Sequence, residues 1–131
     1  MSAAPSAGAV TGVPKLILRL EGAAVLVSAA FFYWVFQGSW LWFVVLFLTP
    51  DLSFFAYLVS PSVGSIVYNA VHSTLGPLAL LALAAWLGWD IVERIALIWL
   101  AHVGFDRALG YGLKYASAFG ETHLGRIGKQ G

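Results

Sequence analysis

The sequence predicts an all-α, polytopic membrane protein: four transmembrane helices in an antiparallel bundle, followed by a C-terminal tail at the membrane interface. Two observations carry this. Of 131 residues, 60% are hydrophobic and 10% charged, against roughly half apolar and a quarter charged in soluble domains. The apolar residues also fall into four runs on the order of 20 residues, the length that crosses a hydrocarbon core of about 30 Å as a helix. The apolar–polar alternation that membrane strands require is absent, whereas a helix satisfies its backbone hydrogen bonds internally.

The opening "MSAAPSAGAVTGVP" is small and polar and reads as a disordered leader over residues 1–14. It has no early positive charge ahead of an apolar stretch, and no small-residue cleavage site follows the first apolar run, so it does not read as a signal peptide. Within a transmembrane domain of residues 15–109, helices are expected over 16–36, 40–59, 63–88 and 91–109. The intervening turns are "QGSW", "SPS" and "GWD". In "TPDLS", Pro50 interrupts the second helix, and Thr49 or Asp51 can cap the amides that the break frees. Residues 110–131 are rich in glycine and aromatic side chains and read as an amphipathic cytoplasmic tail.

Four crossings return the C-terminus to the face of the N-terminus. Lys15, Arg19, Arg107, Lys114, Arg126 and Lys129 fall on that face; Arg94, with Asp90 and Glu93, falls on the other. Cytoplasmic segments carry the excess of Lys and Arg, so both termini are expected in the cytoplasm. Trp34, Trp40, Trp42, Trp86 and Trp89 gather near the opposite turns, as an interfacial aromatic belt does. A net charge of +1 supplies no basic field for nucleic acid, which leaves membrane lipids as the expected surroundings. Without cysteine, any metal must rest on His, Asp or Glu.

Five ionisable side chains lie within or just beneath the spans: Glu21, Asp51, His72, His102 and Asp106. At about 1.5 Å per residue, Asp51, His72 and His102 sit roughly 13–14 Å from the cytoplasmic face, and Asp106 and Glu21 roughly 8 Å. Groups from four helices thus share one layer. A lone charge at the membrane centre costs about 2.5 kcal/mol or more, so the economical arrangement points these groups inward to meet one another, hydrate a cavity or bind an ion. His102 and Asp106, four apart in "HVGFDR", share a helix face, as do Asn69, His72 and Ser73 in "YNAVHST".

Taken singly, each has a plainer role. His102 can hydrogen-bond a neighbouring helix, Asp106 can pair with Arg107, and Glu21 suits an interfacial pair near Arg19. Matched depth makes a shared site the better reading. His123, in "GETHLG", can fold back over the cavity mouth as a ligand or lid, or remain a surface residue. Gly104, Gly110 and Gly112 either let helices pack closely or end the helix.

The string "HVGFDRALGYGLKY" followed by "FGETHLGRIG", with "YNAVHS" and "TPDLS" before them, resembles the signature of a family of small bacterial integral membrane proteins, domain-of-unknown-function family 4260. The resemblance covers about residues 15–128. It implies a multi-pass protein of the bacterial inner membrane and carries no assigned activity, cofactor or catalytic residue.

Two functional classes arise from the residues. In the first, Asp51, His72, His102 and Asp106, with His123 as a further ligand, hold a divalent metal such as zinc. The ion brings a bound water to a near-neutral pKa for attack on a lipid-borne ester or amide. Asp106 and Ser73 are the catalytic candidates, Ser73 as donor to the carbonyl or the developing oxyanion. This donor set is similar in kind to that of intramembrane amidases of the ceramidase class, whose paired-histidine spacing is absent here. In the second class the same groups form a proton or ion relay, or pair with a partner subunit of a membrane complex or within a homo-oligomer. Haem held axially by His72 and His102 leaves the carboxylates unexplained, so a divalent ion is preferred.

Overall fold

The computed structural model describes residues 9–113, 121–122 and 124–126. Its helices are α1 (Gly12–Val35), α2 (Trp40–Phe47), a 3-10 helix (Thr49–Leu58), α3 (Pro61–His72), α4 (Leu75–Leu87) and α5 (Asp90–Leu109). Three segments, Gly12–Val35, Trp40–Leu58 and Pro61–Leu87, are long and apolar enough to cross a membrane. Two antiparallel strands of two residues each, β1 (Glu121–Thr122) and β2 (Gly125–Arg126), flank the buried Leu124 and are too short to alter the all-α class. Because α1 begins at Gly12, the last three residues expected in the leader are helical; residues 1–8 lie outside the described chain.

The core sits around α5. This helix carries Asp90, Glu93, Arg94, Asp106 and Arg107, yet it buries Ala96, Leu97, Ile98 and every residue from Leu100 to Gly104. Helix α1 runs along it, with α4 and α2 beside it. Helix α2 buries nothing, and Leu41, Leu58 and Trp86 are 71%, 84% and 85% exposed. Apolar side chains face outward and the most charged helix is enclosed, the arrangement that a lipid solvent favours.

Local chemistry sets the ends. Ser60 caps α3 by accepting from the Val63 amide at 3.0 Å, and Pro61 occupies the first helical position, where a missing N–H costs nothing. Gly88 and Gly110 close α4 and α5 in the left-handed conformation, φ 71° and 95°. After α5 the amides of Gly110 and Tyr111 return to the carbonyls of Arg107 and Asp106 at 3.0 and 2.8 Å, a Schellman closure. Gly110 therefore ends the helix.

The expected third helix, 63–88, is two helices. The ring of Pro77 cannot coexist with a helical carbonyl four residues earlier, at Ser73. The chain leaves the helix there, with ψ 149° at Ser73, and restarts at Leu75. His72 consequently stands at the end of α3, where its backbone carbonyl is free to bond elsewhere.

Pro50 breaks the second segment as expected, and the chain continues as a 3-10 helix rather than a resumed α-helix. A 3-10 helix advances about 6 Å in three residues, and an α-helix about 6 Å in four. Asp51, Phe54 and Tyr57 therefore keep step with His72, Tyr68 and Gly64 running the opposite way on α3. Asp51 Oδ1 lies 3.3 Å from His72 Nε2, Phe54 stacks on Tyr68 at 5.3 Å, and the Tyr57 ring lies where a Cβ on Gly64 would project. Gly64→Ala is expected to lower the apparent Tm of the detergent-purified protein. The displaced atoms are the rigid base of the Tyr57 ring, so the cost should be about 1–3 kcal/mol, as for an overpacked core.

Helices α1 and α5 touch backbone to backbone. A Cβ on Gly104 would lie 2.7 Å from both the Gly22 carbonyl oxygen and the Leu26 nitrogen, and one on Gly22 would lie 2.9 Å from the Gly104 oxygen. Gly104 is two residues from both His102 and Asp106, hence about 200° around the helix from each. One face of α5 thus receives α1 while the opposite face presents imidazole and carboxylate.

Candidate metal centre

Asp51, His72, His102 and Asp106 come from three elements and converge. His72 is fixed by its position at the end of α3, whose last carbonyls have no helical partner. Two donors of α5 take them: Trp99 Nε1 donates to the Val71 carbonyl at 2.6 Å and Arg107 Nη2 to that of His72 at 2.7 Å. Trp99→Phe removes the first of these. Its expected effect is a loss of about 1–3 kcal/mol for the unpaired carbonyl, read by thermal unfolding.

One atom from each of the four residues, the two Nε2 and a carboxylate oxygen of each aspartate, lies within 4.8 Å of all the others. His72 Nε2 and His102 Nε2 are 3.2 Å apart. Asp51 Oδ1 is 3.3 and 3.2 Å from His72 and His102, and Asp106 Oδ2 is 3.5 and 3.2 Å from the same pair. A tetrahedral ion with bonds of about 2.0–2.1 Å separates its ligand atoms by about 3.3–3.4 Å. Five of the six edges lie within about 0.2 Å of that value, and the sixth, between the two carboxylates, is within 4.8 Å.

The proton inventory points the same way. His72 Nδ1 faces the Tyr68 carbonyl at 3.1 Å, which accepts a hydrogen bond only from a protonated Nδ1; the neutral ring then turns a lone pair on Nε2 toward the cluster. His102 Nδ1 is buried and lies toward the Phe47 carbonyl without a well-formed hydrogen bond. His72 Nε2 and the two carboxylates therefore meet as acceptors, and His102 Nε2 joins them when its ring proton is on Nδ1. Acceptors so placed repel unless protons or a cation sit between them, and two carboxylates match one divalent charge.

Aromatic rings pack against both imidazoles. Tyr68 stacks on the His72 ring at 3.9 Å, and Phe47 meets the His102 ring edge-on at 5.1 Å. The His72 and His102 side chains are 0% and 2% exposed, Asp106 is 12%, and Asp51 is 38%. Access is from the side of Asp51. The 3.2 Å between the two Nε2 atoms is too short for ligands on opposite faces of one haem iron, which would stand about two 2 Å bonds apart.

The other residues singled out by the sequence are placed differently. Ser73 Oγ accepts from the Leu75 amide at 3.1 Å and helps start α4, so its hydroxyl has a local structural partner. His123 lies outside the described residues. Glu21 is exposed, and Arg19 donates to the Ala108 carbonyl at 2.9 Å. Arg107 serves carbonyls, those of Tyr111 and His72, rather than Asp106. Sequence reasoning missed Trp99 as a strut and Tyr68 as the partner of His72. The four-residue spacing of Tyr68 and His72 was the available signal.

Neither the curated proteins nor the solved structures yield a match to the chain. A family model matches residues 15–127, a stretch that holds all four cluster residues and both close-packed glycines. By that match the chain belongs to the family described as Domain of unknown function (DUF4260).

Proposed function

We propose that this protein is a four-span inner-membrane protein, both termini cytoplasmic, whose Asp51, His72, His102 and Asp106 bind one divalent metal ion, zinc by preference. The single observation that carries the reading is the convergence of four possible ligand atoms, two Nε2 and two carboxylate oxygens, with five of their six separations at 3.2–3.5 Å. Mixed nitrogen and oxygen donors in that geometry suit zinc rather than the octahedral ions. With two neutral imidazoles and two carboxylates, the loaded site is electrically neutral, which a membrane interior favours. Helix α5 completes the fourth crossing: its 20 residues span about 30 Å.

The reaction class that fits is hydrolysis of a lipid-borne ester or amide. A bound zinc ion would supply a nucleophilic water near neutral pH. The protein contributes placement: Tyr68 orients His72, the aromatic rings exclude bulk water, and Asp51 forms the exposed edge through which a substrate carbonyl reaches the ion. Four protein ligands would fill a tetrahedral site, so a catalytic water would need one of them to leave. Asp51, the most exposed and set on the 3-10 helix beyond a proline break, would be that one, while Asp106, almost enclosed, would keep hold of the ion with the two histidines.

The test is metal analysis of the full-length protein purified without added metal, followed by a screen of fluorogenic fatty-acyl esters and amides in vesicles. One zinc per chain and a chelator-sensitive hydrolysis lost in Asp106→Asn are expected. Zinc without hydrolysis of either class would overturn the enzyme reading and leave the metal site. A metal-free cluster that binds protons instead would overturn both in favour of a relay.

A further inference from the structure

An apolar fissure runs along α5 toward the cluster; none of its lining residues is a cluster residue, but Pro50 and Val71 are the chain neighbours of Asp51 and His72. One cavity of about 290 Å³ is lined by Leu46, Thr49, Pro50, Val71, Ile98 and Trp99 among others. A second, of about 460 Å³, is bounded by Trp42, Leu46, Ile91, Arg94, Ile95 and Ile98. Both include Leu46, Ile95 and Ile98, so the two are consecutive parts of one slot between α2 and α5. On α5, Ile91, Ile95 and Ile98 form a stripe at spacings of four and three, and the next position of that stripe is His102. On the facing wall the run Trp42, Leu46, Thr49, Pro50 is followed by Asp51. Both walls end at ligands.

We propose that this slot binds a single lipid acyl chain, with the ester or amide carbonyl of that lipid delivered to the Asp51 edge of the cluster. The proposal rests on the metal reading above and adds the binding surface and the substrate's shape. From Ile91 to Ile98 the stripe runs about 10 Å along the helix. The slot lies between α2, which buries none of its residues, and the edge of α5 that carries Ile91 and Ile95, and its lining is mostly apolar along its length. Its polar groups come at the ends: Thr49 beside Asp51, and Ser39 with Arg94 at the other. A hydrocarbon chain satisfies such walls; water and ions do not.

The test uses full-length protein in phosphatidylethanolamine–phosphatidylglycerol vesicles doped with a phosphatidylcholine that carries a diazirine on one acyl chain. Crosslinks mapped by mass spectrometry should concentrate on Leu46 and Ile95. They should be lost in Ile95→Trp, which fills the slot, and again in Leu46→Trp if the first variant folds poorly. Zinc content, measured on the same samples, should be unchanged in both variants and serves as the folding control. Crosslinks spread over outward residues such as Leu41, Val44 and Leu83, or unchanged in a zinc-loaded filled variant, would overturn the acyl-chain site while leaving the metal reading intact. Slot crosslinking in a wild-type protein that binds no zinc would keep the chain site and overturn the metal reading.

Discussion

His102→Ala is expected to abolish zinc binding by the purified full-length protein. The imidazole supplies three of the short edges of the cluster, 3.2 Å to each of His72, Asp51 and Asp106. Losing a residue that only orients a ligand costs about 10- to 100-fold in affinity, so losing a ligand itself should exceed roughly 100-fold. Competition against a chromophoric chelator reads this directly. Thermal unfolding reads it independently: zinc at about a thousandfold over its Kd stabilises the wild type by about 4 kcal/mol, an increment His102→Ala should lack. The sign of the pH dependence is set by the same chemistry. Zinc requires both imidazoles neutral, so protons compete with it and affinity should fall as pH drops, with a steeper slope for wild type than for a variant with one histidine. Glu21→Gln, altering an exposed residue outside the cluster, should change none of these. Retention of tight, stoichiometric zinc in His102→Ala would remove His102 from the centre.

Much of this centre was legible in the sequence because a membrane makes polar groups conspicuous. Asp51, His72, His102 and Asp106 stood out as costly residues in apolar runs, and counting residues from the membrane faces placed the first three at one depth and Asp106 nearer the cytoplasmic face, within the same half of the membrane. The helical spacing of His102 and Asp106 is local and is kept in the structure. Features that depend on partners distant in sequence could not be read. Pro77 was visible, but its consequence, a helix that ends at His72, needs the carbonyls of Val71 and His72 to find donors on α5. The 3-10 helix is likewise invisible in propensity: its repeat is selected by the need of Asp51, Phe54 and Tyr57 to match an α-helical ladder on α3. Gly104 and Gly110 looked alike as letters. Their environments separate them, the first pressed against α1 and the second closing α5 at φ 95°.

Gly104→Ala and Gly22→Ala should each destabilise the protein, and their effects should not add. In either variant a new Cβ meets backbone atoms of the facing helix at 2.7–2.9 Å, and backbone cannot turn aside as a side chain can. Helices α1 and α5 must then separate, at about 1–3 kcal/mol for each substitution by the measure of overpacked cores. This outweighs the gain of up to about 1 kcal/mol that alanine brings over glycine within a helix. Once one alanine has forced the helices apart, the second enters space already opened. The double variant should therefore cost less than the sum of the singles, with a coupling of about 0.5–3 kcal/mol, as for residues in direct contact. Urea or thermal unfolding of the four proteins in one detergent completes the cycle. Because His102 and Asp106 occupy the opposite face of α5, the folded fraction of each variant should still take up zinc. Strict additivity would mean that the two glycines do not share a crossing; loss of zinc from folded protein would mean that the α1 contact holds the metal face in place.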